Sequence, residues 1–201
     1  MKQVLLPVGA LVLACALAPA AVLIRLSDAQ LVEHARHVVV ATVTAVQPSW
    51  MDPDADGVSQ IYTTIEVRVD QVLHGDARVG DPMSFIQQGG TIGRVQYRIH
   101  GMPEFAPGDR ALLFLEGNLT ACKYSAIVGL AQGRWIVRTD ADGRDVARRD
   151  FTGCCFANPD GTPAQQDLTP DQGEEPLADL IGRFQQEIAR RREAQDGEVA
   201  K

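Results

Sequence analysis

Clustered positive charge is what this sequence most lacks. Its 201 residues hold 19 lysines and arginines against 26 aspartates and glutamates, for a formal net charge of -7. A nucleic-acid binder needs a basic face that neutralises phosphates, so no nucleic-acid partner is expected. The single basic run, Arg190, Arg191 and Arg192, is diluted by Glu187 and Glu193 and reads as a solvated helix face.

The familiar signatures of catalysis are absent as well. No Gly-x-Ser-x-Gly elbow occurs, and neither Ser84 nor Ser125 has a His or Asp at a telling separation. The glycines of "GGTIG", Gly89 to Gly93, lack the Gly-Lys-Ser/Thr ending of a phosphate cradle, and no helix is expected after them, so they read as a bend between strands. Four cysteine or histidine ligands at a recognisable zinc-site spacing are missing. There is no internal repeat.

What is present begins with an address. Met1-Lys2-Gln3 precedes an uncharged stretch from Val4 to Ile24, and Ala18-Pro19-Ala20 supplies an Ala-x-Ala exit. A basic start, an apolar centre and small residues at the exit match a secretory signal peptide over residues 1–20. The expected location is therefore periplasmic or extracellular. Two rivals place the chain at a membrane: the apolar run kept as an anchor, or lipidation at Cys15, although Leu13 stands where a lipidation signal usually has a small residue. Export makes Cys122, Cys154 and Cys155 disulfide candidates. Three is odd, so either Cys122 pairs with one of the adjacent two, or Cys154 and Cys155 form a vicinal bridge.

With 45% hydrophobic and 22% charged residues, the remainder fits one globular domain with terminal extras. Ser27 and Gln30 form a capping box and Leu26 with Leu31 a hydrophobic staple, which predicts a short helix from Asp28 to near His37. "VVVATVTAV", Val38 to Val46, predicts a strand whose first half is buried. Pro48 to Val58 reads as turn. Next, Ile61, Thr63, Ile65, Val67 and Val69 alternate with Tyr62, Thr64, Glu66, Arg68 and Asp70, which predicts a long half-buried strand.

"MSFIQQ", "RVQYRIH" and Ala111 to Leu115 are further strand candidates, with Gly89-Gly90 as a bend and Pro107-Gly108 in the middle of a type II turn. "KYSAIV", "RWIVRT" and "RDVARR" are shorter ones. Residues 151–175 have turn composition and read as a cysteine-containing loop. Leu177, Leu180, Ile181, Phe184 and Ile188 then fall at helical spacing over 176–195, with Pro176 suited to the first helical position and 196–201 as a frayed tail. The fold class expected is mainly β with flanking helices: an OB-like β-barrel over 26–150, one short N-terminal helix and one amphipathic C-terminal helix.

The sharpest metal candidate is "MDPDADGVSQ". Asp52, Asp54 and Asp56 alternate and Gly57 takes the sixth position of a calcium loop begun at Asp52, but the twelfth falls on Thr63 and not on a bidentate Glu. Asp56-Gly57 is equally a hairpin turn, and Asp142-Gly143 offers a second. Calcium is thus the one cofactor that the residues suggest. His34 and His37 are spaced to share a metal on a helix, without the inner glutamate of a zinc protease. Asn118-Leu119-Thr120 is a glycosylation triplet, meaningful only in a eukaryotic secretory route.

The order "LSDAQLVEHARHVVVATVTAV", "IYTTIEVRVDQVLHG", "QQGG", "GMPEFAPGDRALLFL" and "GRWIV" resembles a block of exported bacterial proteins, and its layout is similar to the OB barrel of netrin modules and tissue inhibitors of metalloproteinases. The resemblance covers about Leu26 to Val137. It implies a barrel that binds a macromolecule and performs no chemistry. Those inhibitors chelate zinc through an N-terminal cysteine, whereas cleavage after Ala20 here would expose Ala21, so that mechanism and its residues do not carry over. The expectation is a noncatalytic envelope module for a protein or glycan, with Trp50 and Tyr62 as exposed aromatics of its surface. The alternative is a metal-dependent hydrolase or calcium-regulated protein using the Asp52 loop or His34 and His37.

Overall fold

The computed structural model describes residues 21–53, 55–120, 122, 124–158, 160, 162 and 173–199. The proposed signal segment, Asp54 and most of the 159–172 stretch lie outside them. In chain order the elements are β1 (Ala21–Ile24), α1 (Asp28–His34), β2 (His37–Met51), β3 (Gln60–His74), β4 (Pro82–Gln88), β5 (Gly90–Ile92), β6 (Val95–Tyr97) and β7 (Arg110–Leu115). A 3-10 turn (Leu130–Gly133) precedes β8 (Arg134–Thr139), β9 (Asp145–Arg148), β10 (Cys154–Ala157), β11 (Glu175–Pro176) and α2 (Leu177–Val199).

The main sheet has seven antiparallel strands in the order β11-β9-β8-β7-β2-β3-β4. It is not closed into a barrel, with β4 and β11 as its edges, and this corrects the expected β-barrel. Past β4 the backbone is not left bare. Gln88 N donates to Tyr124 O (2.6 Å) and Ala126 N to Ile86 O (3.0 Å), while Glu116 N donates to Ala126 O (2.8 Å) and Val128 N to Phe114 O (2.9 Å). The segment 124–128 thus laces β4 to β7 through isolated bridges and forms no strand of its own.

Strand alternation divides the apolar residues between two cores, because successive side chains on β2 and β7 point to opposite faces. Val38, Val40, Leu112 and Phe114 join Leu31 and Val32 of α1 and Leu180, Phe184 and Ile188 of α2. Val39, Ala41, Val43, Leu113 and Leu115 face Ile65, Val67, Val69 and Phe85 instead. A continuous apolar run such as "VVVA" is the signature of a strand covered on both sides.

The capping box forms as expected: Ser27 Oγ accepts from Gln30 N and Gln30 Oε1 accepts from Ser27 N. The helix ends at His34, three residues early, because Arg36 N already bonds Leu115 O (2.7 Å) and the chain turns into the sheet. β2 runs on through Pro48 to Met51, past the expected turn. Beyond Val43, which bonds Asp109 and Gly108 just before β7, it has no partner on that side among the described residues, so the missing proline N–H costs no ladder bond there. Asp109 N bonds Ala106 O (3.0 Å) and Gly108 has φ +92°, as the predicted type II turn requires.

Five further expectations change. "RVQYRIH" yields only β6, which pairs with β5 as a separate hairpin. Within the supposed loop of 151–175, β10 pairs in parallel with β1. Pro176 sits in β11 and not in the first helical turn, and residues 196–199 continue α2. No disulfide forms among the described residues, at Cys122, Cys154 or Cys155. Cys122 packs against the inner core with its thiol directed to Ile86 O (3.6 Å), and burial pushes that thiol up to about 11. Cys154 and Cys155 are adjacent on a strand, so their side chains leave opposite faces.

Candidate functional site

β4 ends in two amides, Gln87 and Gln88, followed by two glycines. Gly89 and Gly90 have φ +107° and +141°, conformations that side-chain-bearing residues rarely adopt. A Cβ on Gly90 would stand 2.5 Å from Thr63 Oγ1 and 3.0 Å from Pro48 Cβ. Only glycine lets the chain leave the sheet so close to β2 and β3. The departing β5–β6 hairpin and the segment 98–105 then arch over the sheet.

Beneath this arch lies a cavity of about 390 Å³, floored by Val46, Thr63 and Ile65 and roofed by Gln96, Tyr97 and Met102. The arch is held at three points. Thr63 Oγ1 donates to Gly89 O (2.6 Å), Gln87 Nε2 donates to Pro103 O (2.8 Å), and Arg98 pairs with Glu104 (3.0 Å) at the exposed rim. Phe105 closes the inner end, edge-on to Phe85 (centroids 5.8 Å) and covered by the Arg134 guanidinium at 4.5 Å. Arg134 is itself buried and 3.4 Å from Asp109; burial holds its pKa below the ordinary arginine value.

Two buried polar atoms at this site have no hydrogen-bond partner, Gln87 Oε1 in the lining and Arg134 Nε behind Phe105. Gln87 is 9% exposed, and its Oε1 is buried without a hydrogen bond, although Nε2 is engaged. A buried amide oxygen left unpaired costs about 1–3 kcal/mol. A donor from a ligand would remove that cost. Gln88 donates to Gln60 Oε1, so its amide is held from the floor.

No protein-family model, curated protein or solved structure matches this chain. The site therefore rests on its own geometry. Its lining contains neither His, Cys, Asp nor Lys, and its one carboxylate, Glu104, is tied to Arg98. That lining can hold hydroxyl and amide groups by hydrogen bonds and pack apolar faces against aromatic rings.

The residues expected to act lie elsewhere. Asp52 Oδ1 and Oδ2 accept from Asp56 N (3.1 Å) and Gly57 N (2.9 Å), and Asp56 Oδ1 accepts from Val58 N (2.8 Å). Both carboxylates thus close the hairpin turn between β2 and β3, with Gly57 at φ +86°. Asp54 lies outside the described residues, and no group of three or more potential metal ligands occurs among those described. His34 ends α1 while His37 opens β2, so the pair does not share a helix face.

Trp50 is 56% exposed, as expected, but Tyr62 is 3% exposed. This corrects its assignment to the surface: β3 is flanked at Tyr62 by Ser49 of β2 and Gln88 of β4. The exposed aromatics nearer the arch are Tyr97 and Tyr124. The sequence signal that pointed here was "QQGG", read only as a bend.

Proposed function

We propose that this chain is an exported, noncatalytic binding module of the cell envelope, and that its ligand, a glycan or a protein segment, lies in the cavity under the Gly89–Phe105 arch. The observation that carries the reading is the unpartnered Gln87 Oε1. It is a fixed, desolvated acceptor on a side chain that lines the cavity, where, apart from the Arg98–Glu104 pair at the rim, the polar side chains are amides and hydroxyls, the set that recognises a hydroxyl-rich or amide-rich chain. Export is supported by the basic start, apolar centre and Ala-x-Ala exit of residues 1–20. No described helix is long and apolar enough to cross a membrane.

An OB-like organisation belongs to the same proposal. The order β7-β2-β3-β4, with residues 124–128 bonded to both β4 and β7, supports a five-membered arrangement of that kind bridged by isolated bonds. OB domains bind along the face of their second and third strands. Here those are β3 and β4, which carry Thr63, Ile65 and Gln87 into the cavity.

The test is titration of the purified protein with a panel of neutral and amino-sugar oligosaccharides and with extended peptides, followed by calorimetry and amide chemical shifts. A ligand of either class should shift Gln87 and Thr63, and Gln87→Leu should weaken it about tenfold, the worth of one buried hydrogen bond with its unmade partner. Binding unaffected by Gln87→Leu, or turnover of a bound substrate, overturns the proposal.

A further inference from the structure

A second cavity, of about 370 Å³, lies where the end of α1 with the link that follows it, the end of β3 and the C-terminal half of α2 meet. On an acidic protein its lining is unusual. His34, Arg36, His74, Arg191 and Arg192 converge on it from three elements and the link between α1 and β2, and the only acid among the lining residues is Glu33. The sequence scattered these cations, and "RRR" read as a solvated face. The fold gathers two of its arginines with residues more than a hundred positions away.

The cations are only partly neutralised. Arg191 donates one N–H to Val32 O at the end of α1, which fixes the guanidinium at the cavity and leaves its other donors. Arg36 is 3.7 Å from Asp76, a long pair between two exposed side chains. Arg192 has no hydrogen bond or ion pair among the described residues, since Glu187 is taken by Arg190. His74 Nδ1 is buried and unpartnered.

From this geometry we infer that the cavity is a binding site for a phosphate oxyanion, gripped by Arg191 and Arg192 from α2 and by Arg36 from the link between α1 and β2, with His34 and His74 beside it. Guanidinium forks match the planar pairs of oxygens that a phosphate presents. The site lies toward the opposite end of β3 from the arch and differs from it in chemistry, so it stands whether or not a glycan binds there.

Charge at His74 reports occupancy. Burial first, then Arg192, Arg191, Arg36 and His37, hold its pKa below the ordinary histidine value. Glu33 and His34 from α1, and Asp76 in the turn after β3, complete the charged groups around it. An oxyanion among the arginines would cancel their repulsion and raise the His74 pKa.

Histidine side-chain NMR of the purified protein, titrated with pH in sodium phosphate and in sodium chloride of equal ionic strength, tests this. Phosphate should raise the His74 pKa saturably where chloride does not. Arg192→Gln, an exposed and unpartnered position, should weaken phosphate about tenfold, as expected for loss of a charge-assisted bond, while Arg144→Gln in the remote β8–β9 turn should not. Co-sedimentation with phosphatidylglycerol vesicles, lost in Arg192→Gln, would assign the phosphate to a lipid headgroup; a response to inorganic phosphate without vesicle binding would assign it to a soluble phosphate. Equal His74 titrations in the two salts, or an unaltered response in Arg192→Gln, overturns the inference.

Discussion

The two faces of β2 and β7 are covered in different ways. On the helix side Phe114, Trp135 and Phe184 meet with centroids 4.6 to 5.4 Å apart, and α1 and α2 seal the layer. On the inner side the side chains are mostly aliphatic, and beyond Ile65 the packing gives way to the cavity under the arch. Large rings from three elements fill one face. The other is covered past Ile65 by the β5–β6 hairpin and the segment 98–105, which must leave the sheet at Gly90 to cover it, and space remains. The contrast separates a face devoted to stability from one that can receive a ligand.

Phe184→Ala should give the largest effect on this contrast. The ring is fully buried between Phe114 and Trp135, so its loss should cost about 3–5 kcal/mol in urea unfolding, the range for buried aromatic truncations. Ligand affinity of the folded fraction at the arch should stay unaltered. A parallel loss of affinity would show that the two faces are one cooperative unit at the cavity.

Gly90→Ala comes next. It combines a φ of +141° with a Cβ 2.5 Å from Thr63 Oγ1, and strain of this kind costs about 1–3 kcal/mol. Because Thr63 also bonds Gly89 O, the arch must shift and arch binding should fall with stability. Gly93→Ala, at the open tip of the same hairpin with φ +59° and nothing near its Cβ, should cost less and spare binding. Equal effects from the two variants would remove the argument that close approach at Gly90 builds the site.

Local patterns made much of the sheet legible. β8 coincides with "RWIVRT", β3 with the long alternating run, and the capping box at Ser27 forms as its spacing requires. What could not be read were pairings between distant short segments. Nothing in Ala21–Ile24 announces Cys154–Ala157 as its parallel partner. The arch cavity was invisible for the same reason: Gln87 and Gly90 mark it locally, but Pro103 and Phe105 close it from outside the strand pattern. Alternation placed Tyr62 on a polar face and could not foresee that both of its neighbours would cover it. The aspartates of the 51–60 loop matched two chemistries at sequence level, and the backbone N–H groups closing on Asp52 show what its carboxylate does in this fold.

The smallest expected effect concerns acid, and it lies at the helix-side margin. His37 and His74 both have pKa values lowered from 6.5, chiefly by burial. For His37 the pull of Asp76, 3.5 Å from Nδ1 but without hydrogen-bond geometry, offsets part of that burial. A lowered histidine binds fewer protons in the folded than in the unfolded chain wherever the pH lies between its two pKa values. Stability should therefore rise with pH through that window and fall as the pH drops from about 6.5, the ordinary value, toward the lowered one. Both rings are partly solvated, so the combined effect should stay below about 1 kcal/mol. Urea unfolding at pH 7 and at pH 5 in chloride buffer measures it. His74→Gln should flatten the His74 share of the dependence, whereas Phe184→Ala should lower both curves by the same amount. A dependence untouched by His74→Gln would assign the acid sensitivity to other groups and detach it from the cavity margin.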